Sequence, residues 1–283
     1  MTNSAHTNGV YPAFKKDGTP YYRASLTYRR KHISLGSYDD RKTAHDAYLE
    51  AGRILSDPTV KLVSYHAEQN KSTLAFEKWV ILLNFRDNGL YIGKPIYLGQ
   101  KMFFYYLTPT KILKFDLDDL FYFSSHKIMC RGNHYFVADY GMQVNIANRY
   151  GIKNYAVEGR DYLFLNGDPL DYRRENLKIL NAYHGVTEKK KDTVLKDSTL
   201  SAKTKYPYTA SIHLKGNYVI GHYHTPLEAA IAYNKAIDIL LKNGVTKNFQ
   251  PNYIEGLSPK EYAEIYSNLK ISPKLLHYGK PNC

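Results

Sequence analysis

The strongest constraint on the fold is a segment that occurs twice, once near each end of the chain. The first copy runs YYRASLTYRRKHISLGSYDDRKTAHDAY over residues 21–48, and the second runs YTASIHLKGNYVIGHYHTPLEAAIAY over residues 208–233. A glycine lies twelve residues before the last tyrosine in both copies, as Gly36 and Gly221. Further pairs keep the same order: Tyr38, Ala44 and Ala47 with Tyr223, Ala229 and Ala232; Ala24-Ser25 with Ala210-Ser211; and Gly9-Val10 with Gly185-Val186. So many matches in one order predict two copies of one structural unit.

Each copy is predicted to form strands followed by a helix. Ala24, Leu26 and Tyr28 alternate with polar residues, which is the period-two pattern of a half-buried strand. The second copy alternates in the same way from Thr209 to Lys215. Thr225 then predicts a helix start, because it precedes a proline and lies three residues before a glutamate. Small alanines in the helix favour close packing on one face of the sheet, which leaves the other face polar.

Both copies resemble the ethylene-response-factor (Apetala-two) DNA-binding domain, through GHYHTPLEAAIAY and LGSYDDRKTAHDAY. This resemblance implies a three-stranded sheet backed by one helix, whose exposed face lies in the DNA major groove. The family's groove-facing tryptophan and most of its arginines are absent from the second copy, so its base preferences do not transfer. A merely solvated basic face is the alternative interpretation. With Arg173 and Arg174 of the middle region added, the candidate DNA-binding residues are Arg23, Ser25, Thr27, Arg29, Arg30, Lys31, His32, Arg173, Arg174, Thr209, Ser211, His213, Lys215 and Asn217.

The composition agrees with a nucleic-acid partner. The formal net charge is +13, which favours binding to a polyanion. Two cysteines, Cys130 and Cys283, are too few for a disulfide scaffold or a cysteine-rich zinc site. No apolar run is long enough to span a bilayer, and the first residues lack the pattern of a secretory signal. We therefore expect a cytoplasmic protein without a membrane partner.

The middle region contains DYLFLNGDPLDYRRENLKIL, residues 161–180, which is predicted to form a strand, a turn and a short helix capped by Asp171. The segment resembles the motif of the HNH (ββα-metal) homing endonucleases. The matching residues are Asn166-Gly167-Asp168, Leu170-Asp171, Arg173 and Glu175-Asn176-Leu177. At the family's Asp-His pair, a metal ligand and a general base, this chain has Leu163 and Phe164, and Tyr172 replaces the asparagine that orients the histidine. Asn176 remains at the family's last metal-ligand position. Because Leu and Phe neither accept a proton nor bind a metal, the resemblance implies a degenerate finger without catalytic residues, metal or cofactor.

Two other functions remain open. A nuclease or nickase with a rearranged site would use His134, Asp139 and Asn176, and a protein-binding pseudoenzyme would carry its basic surface incidentally. The preferred hypothesis is sequence-specific binding of double-stranded DNA without cleavage, as a transcriptional regulator derived from a homing endonuclease. The oligomeric state, a monomer with tandem modules or a homodimer, stays open.

The predicted fold class is α+β, with two small three-stranded-sheet-plus-helix domains flanking a degenerate ββα finger. The predicted segments are an N-terminal DNA-binding domain (5–56), a linker (57–73), an HNH-like domain (74–181), a C-terminal DNA-binding domain (182–250), and a C-terminal helix and tail (251–283). Ser258, Pro259 and Glu261 predict the start of that last helix. A lysine-rich loop over residues 187–205 is predicted to lie near a phosphate backbone or to be a solvated insertion.

Overall fold

The computed structural model describes residues 8–65, 72–188 and 206–279, and most of the lysine-rich loop therefore lies outside the described residues. The chain divides into two compact units. The first comprises Met1–Ile146 with Asp168–Glu175, and the second comprises Ala147–Gly167 with Asn176–Cys283. Both contain small antiparallel sheets and helices, so the α+β class is confirmed.

The first unit begins with a sheet of order β1-β2-β3 covered by helices. Alanines of the first helix, α1, are fully buried against this sheet, which brings the two backbones close together. The second helix, α2, adds Trp79, Leu82 and Phe85 to the same core. Asp40 caps α1 by accepting a hydrogen bond from the Thr43 amide at 2.8 Å. The elements are β1 (Val10–Phe14), β2 (Pro20–Tyr28), β3 (Lys31–Tyr38), α1 (Arg41–Ser56) and α2 (Phe76–Asn88).

Two further three-stranded antiparallel sheets follow, of orders β4-β5-β6 and β7-β8-β9. An aromatic cluster packs on the first of these, with the rings of Phe115 and Phe123 stacked at 4.3 Å. The elements are β4 (Ile96–Leu98), β5 (Met102–Tyr106), β6 (Ile112–Asp116), α3 (Leu120–Ser125), β7 (Met129–Arg131), β8 (His134–Asp139) and β9 (Met142–Asn145), with 3-10 helices at Leu117–Asp119, Ile146–Tyr150 and Arg174–Asn176.

The second unit contains a two-stranded hairpin and the second copy of the repeat. The predicted capping box at Thr225 and Glu228 is present, and so is the one at Ser258 and Glu261. The elements are β10 (Tyr162–Phe164), β11 (Leu177–Ile179), β12 (Val186–Glu188), β13 (Tyr208–His213), β14 (Asn217–Tyr223), α4 (Pro226–Lys242), α5 (Pro259–Asn268) and α6 (Pro273–Leu276).

The two copies share details of backbone geometry that the sequence match predicts. In both, the pairing of the middle strand shifts by one residue immediately after an alanine, at Ala24/Ser25 and at Ala210/Ser211. A glycine with positive φ precedes each first strand, and its carbonyl accepts a hydrogen bond from the serine amide, from Ser25 to Gly9 at 2.9 Å and from Ser211 to Gly185 at 2.7 Å. The repeated unit is therefore a three-stranded sheet with a β-bulge, backed by one helix.

The helix predicted within residues 171–180 is wrong. The hairpin β10–β11 is present, but a three-residue 3-10 helix and then β11 occupy this segment. Asp171 caps no α-helix, because it is fully buried and accepts hydrogen bonds from Arg173. After β11 the chain runs into β12 without a helix, so the finger has its two strands but not its α element.

The segment 57–73, which the sequence predicts to be a linker, is attached to α2 at its start. Arg86 donates hydrogen bonds to the carbonyl oxygens of Ile54, Asp57 and Val60, at 2.7–2.9 Å. These contacts bind the end of α1 and the following turn to α2. Of the described helices, none is both long and apolar enough to cross a membrane.

Candidate nucleic-acid interface

The face of the first sheet that points away from α1 carries the sequence-predicted residues. Side chains directly opposite each other on neighbouring strands lie on the same face. Thr27 is paired with His32, and Arg23 with Ser37, and all four residues are exposed. Ser37 is not among the sequence-predicted residues, because strict alternation along β3 would place it on the buried face with Ile33 and Leu35, and only the bulge brings it to the outer face. We call this surface, made by Arg23, Thr27, His32, Ser34 and Ser37, the first outer face.

Arg23 lies near the middle of the first outer face and is oriented by a tyrosine. Its Nε and Nη2 atoms donate hydrogen bonds to the Tyr21 hydroxyl at 3.1 and 2.6 Å, and its guanidinium carbon is 5.4 Å from the centre of that ring. Ser25, another sequence-predicted residue on this face, is by contrast only 7% exposed. It lies on the middle strand opposite the bulge in β3, where the pairing shifts from Gly36 to Ser34.

The turn between β2 and β3 is built from two arginines in a strained conformation. Arg29 and Arg30 have φ angles of +46° and +63°, in a two-residue turn where asparagine and glycine are strongly preferred. A non-glycine residue in this region costs about 1–3 kcal/mol. Such strain is typical of functional sites, which makes the turn a candidate for contact with a partner.

The charged residues of this turn have different surroundings. Arg29 donates a hydrogen bond to the Phe85 carbonyl oxygen at 3.1 Å, so it holds the hairpin against the end of α2. The amino group of Lys31 lies 5.0 Å from the centre of the Tyr91 ring. Arg30 is exposed, and no carboxylate among the described residues pairs with it. Arg29 therefore has a structural role that the sequence does not indicate, and Arg30 points its charge to solvent.

The corresponding face of the second sheet has little charge. Thr209 stands where the first copy has Arg23, and its hydroxyl is 2.9 Å from Nδ1 of His222. His213 and Asn217 are paired across the hairpin, with 2.9 Å between Nδ1 and Oδ1. The exposed Lys215 lies in the turn, and Ser211 is half-buried. The predicted residues share one face, but that face is made of hydroxyl, imidazole and amide groups.

The hairpin β10–β11 has no free group at the positions that the nuclease resemblance assigns. Phe164 is buried beside the Tyr162 ring, and Leu163 is half-buried. The side-chain oxygen of Asn176 accepts a hydrogen bond from the Asn166 amide at 2.7 Å, and the residue is only 3% exposed. That oxygen fixes the turn of the hairpin instead of facing an open site.

Arg173 and Arg174 differ in their availability to a phosphate. Arg173 binds Asp171 through Nε and Nη2 at 2.9 and 2.6 Å, and it also pairs with Glu175. The hydrogen bonds to Asp171 raise the pKa of Arg173 above its ordinary value. Its guanidinium is thus paired with two carboxylates, which offset its positive charge. Arg174 donates its backbone N–H to Asp116 at 2.8 Å, and its side chain is exposed.

The two β8 residues that the nuclease alternative assigns to one site, His134 and Asp139, lie apart. His134 and Asp139 are the first and last residues of this six-residue strand. Five residues along a strand span about 16 Å and place the two side chains on opposite faces. Asp139 lies instead next to His126, with 3.6 Å between its Oδ1 and Nε2. Within the described ranges, no group of three or more His, Cys, Asp or Glu side chains is placed to hold a metal ion.

In comparisons with known proteins, no protein-family model, no curated protein and no solved structure matches this chain.

Proposed function

We propose that this chain binds double-stranded DNA at a specific sequence without cutting it, as a transcriptional regulator derived from an HNH homing endonuclease. The observation that carries the proposal is the first outer face. It presents an oriented arginine, hydroxyl groups and an imidazole in one plane, next to a strained turn with an exposed arginine. The net charge of +13 supplies a general attraction to the phosphate backbone.

The dimensions of the sheet suit the major groove. Neighbouring strands lie about 4.8 Å apart, so three strands measure about 10 Å from one outer strand to the other. The major groove of B-DNA is about 12 Å wide. Because α1 covers the opposite side, the first outer face is the side of this sheet that a duplex can approach.

The side chains on this face divide into two roles. Arg23 lies near the centre, where a guanidinium can donate two parallel hydrogen bonds to the O6 and N7 atoms of guanine. Thr27, His32 and Ser37 offer shorter groups that reach base edges only on close approach. Arg30 lies at the end of the hairpin, where a cation meets a phosphate and contributes affinity that does not depend on sequence.

Binding without cleavage is supported by the hairpin β10–β11. Hydrolysis of a phosphodiester needs a general base and a metal held by oxygen or nitrogen ligands. Phe164 is a buried hydrocarbon at the position of the base, and the Asn176 oxygen is bonded to a backbone amide. The nuclease alternative has no comparable support from the described residues.

The test begins with selection of binding sites from a random duplex library by the full chain. The enriched duplex is then incubated with the protein in magnesium and in manganese, and its strands are resolved on a denaturing gel. We expect one enriched sequence and intact strands. Absence of any enriched sequence refutes the proposal, and breaks at a fixed position establish the nuclease instead.

Two variants separate the roles of the arginines. Arg23→Ala should cost about 1–3 kcal/mol on the selected site and relax the preference at one base pair. Arg30→Ala should weaken all duplexes alike and reduce the slope of log K against log salt by about 1. Lys101→Ala, an exposed position elsewhere in the first unit, is the charge-matched control. If Arg23→Ala behaves like this control, the first outer face is not the reader.

A further inference from the structure

The second unit contains a cleft that DNA binding by the first outer face does not use. It is lined by Ser211, His213 and Asn217 of the second sheet and by residues 153–156 and 160–161. The cleft has a volume of about 560 Å³. This lies within the range of about 300–1,000 Å³ that is typical of sites for small organic ligands, and it exceeds the needs of a single inorganic ion.

The cleft is positively charged. Lys153 and Lys247 line it and have no carboxylate partner among the described residues. The lining acid, Asp161, is neutralised by Arg160, because the Arg160 Nη2 atom lies 2.6 Å from the Asp161 carboxylate. Asp161 also accepts a hydrogen bond from the Val157 amide at 2.7 Å. Burial opposes ionisation of Asp161, but these hydrogen bonds outweigh it and lower the pKa. The two lysines therefore leave an excess of positive charge for an anionic ligand.

A histidine on the cleft wall is held in a fixed position. The His184 amide donates to Asn252 at 2.6 Å, and Asn252 in turn is bonded to the buried Asn234. The His184 Nε2 atom is buried and has no hydrogen-bond partner among the described residues. Burial, and then the charge of Lys153, lower the pKa of this imidazole. An anion bound beside Lys153 would reduce the second effect, so His184 can report on occupancy.

An aromatic ring stands on the rim of the cleft. Tyr155 is 95% exposed, and its φ of +66° places a bulky residue in the left-handed region. The exposed ring is free to stack on a flat group that enters the cleft. Stacking of a nucleic-acid base on such a ring contributes about 1–3 kcal/mol and does not depend on which base it is.

From these features we infer that the cleft binds a phosphate monoester joined to an aromatic base, with the phosphate at Lys153 and Lys247 and the base on Tyr155. A free mononucleotide and the 5′-phosphorylated end of a nucleic-acid strand share this chemistry. The inference concerns the second unit alone and does not depend on DNA binding by the first outer face.

The experiment titrates the full chain with adenosine 5′-monophosphate, inorganic phosphate and adenosine in a calorimeter. A second arm compares short single strands with and without a 5′-phosphate. We expect one saturable site for the monophosphate, competition by inorganic phosphate, and at least about tenfold weaker binding of adenosine, because a charge-assisted contact is lost. Preference for the mononucleotide or for the phosphorylated strand identifies the source of the ligand.

Variants place the site. The double substitution Lys153→Gln and Lys247→Gln should weaken monophosphate binding at least about tenfold. The control is Lys260→Gln with Lys274→Gln, which removes the same charge at exposed positions outside the cleft and should not weaken binding. Tyr155→Ala should weaken binding of the monophosphate but not of inorganic phosphate.

The inference fails if no saturable binding of the monophosphate or of inorganic phosphate occurs, or if both double variants lose affinity equally. Should the cleft variant not fold, proton NMR of the unmodified chain decides. Saturating monophosphate must then shift the His184 ring signals, assigned by their loss in His184→Gln, and unchanged signals overturn the inference.

Discussion

Substitution of Glu50 should destabilise the protein, because the Glu50 side chain attaches the first repeat to α2. This carboxylate, on α1, accepts hydrogen bonds from the indole Nε1 of Trp79 at 2.8 Å, the Ser72 hydroxyl at 2.6 Å, and the amides of Thr73 and Leu74 at 2.8 and 3.0 Å. One side chain thus satisfies four donors at the start of α2. These donors cannot all find water in the folded state, because Trp79 and Leu74 are buried.

The size of the effect follows from these bonds. A hydrogen bond to a charged group contributes about 1.5–3 kcal/mol, and bonds that share one acceptor do not add fully. Ser72 also donates to the Leu74 carbonyl, so it keeps a partner without Glu50. We therefore expect Glu50→Ala to lower the free energy of unfolding by about 3 kcal/mol, and Glu50→Gln, which retains one oxygen, by about 1–2 kcal/mol.

The assay is urea unfolding followed by the fluorescence of Trp79, the single tryptophan, which reports directly on the site. Glu77→Ala is the control, because Glu77 makes a largely exposed ion pair with Lys127 and should change stability by at most about 0.5 kcal/mol. If Glu50→Ala costs no more than Glu77→Ala, or if Glu50→Gln costs as much as Glu50→Ala, the carboxylate does not attach α2 as argued.

Four further outcomes are expected. In urea unfolding, Gly185→Ala should destabilise more than Gly167→Ala: φ is positive at both, but only at Gly185 does a Cβ fall within 2.5 Å of a carbonyl oxygen and a tyrosine ring. In thermal unfolding, Arg30→Gly should stabilise the β2–β3 turn by about 1 kcal/mol, while gel-shift titration shows weaker DNA binding. Because the pKa of His184 in the folded chain is lowered from 6.5, the unfolded chain binds this proton first as pH decreases. The free energy of unfolding should therefore fall as pH decreases through 6.5, and His184→Gln should flatten this fall in urea titrations at several pH values. Phe164→His should cost about 2–3 kcal/mol by urea unfolding and restore no magnesium-dependent nicking of a plasmid.

The repeated units were predictable because their pattern follows from close packing. A Cβ at Gly9 would lie 2.0 Å from the Tyr48 ring, and one at Gly185 would lie 2.5 Å from the Tyr233 ring. Such contacts admit only glycine, so the spacing of small and aromatic residues is visible in the sequence. The burial of Ser25 was not predictable from alternation alone, since the bulge in β3 changes its surroundings without changing the period of its own strand, β2.

The segment 161–180 shows why local signals fail in the middle region. The residues after Pro169 resemble a capped helix, but they pair with β6 instead. The Lys114 amide donates to the Leu170 carbonyl at 2.9 Å, and the Tyr172 amide donates to the Lys114 carbonyl at 2.9 Å. These partners are more than fifty residues apart in the sequence. A contact between residues so far apart produces no periodic pattern in the sequence. The hydrogen bond from Arg29 to Phe85 and the cleft beside the second sheet are hidden from the sequence for the same reason.

The difference between the two sheet faces has a consequence for the DNA site that the proposed function predicts. Thr209 stands where the first copy has Arg23, so the second sheet offers no arginine at the position proposed to read a base. A duplicated domain would ordinarily imply a bipartite operator with two similar half-sites. Under the proposed function, the expected footprint is instead a single, asymmetric element, saturated at one duplex per chain.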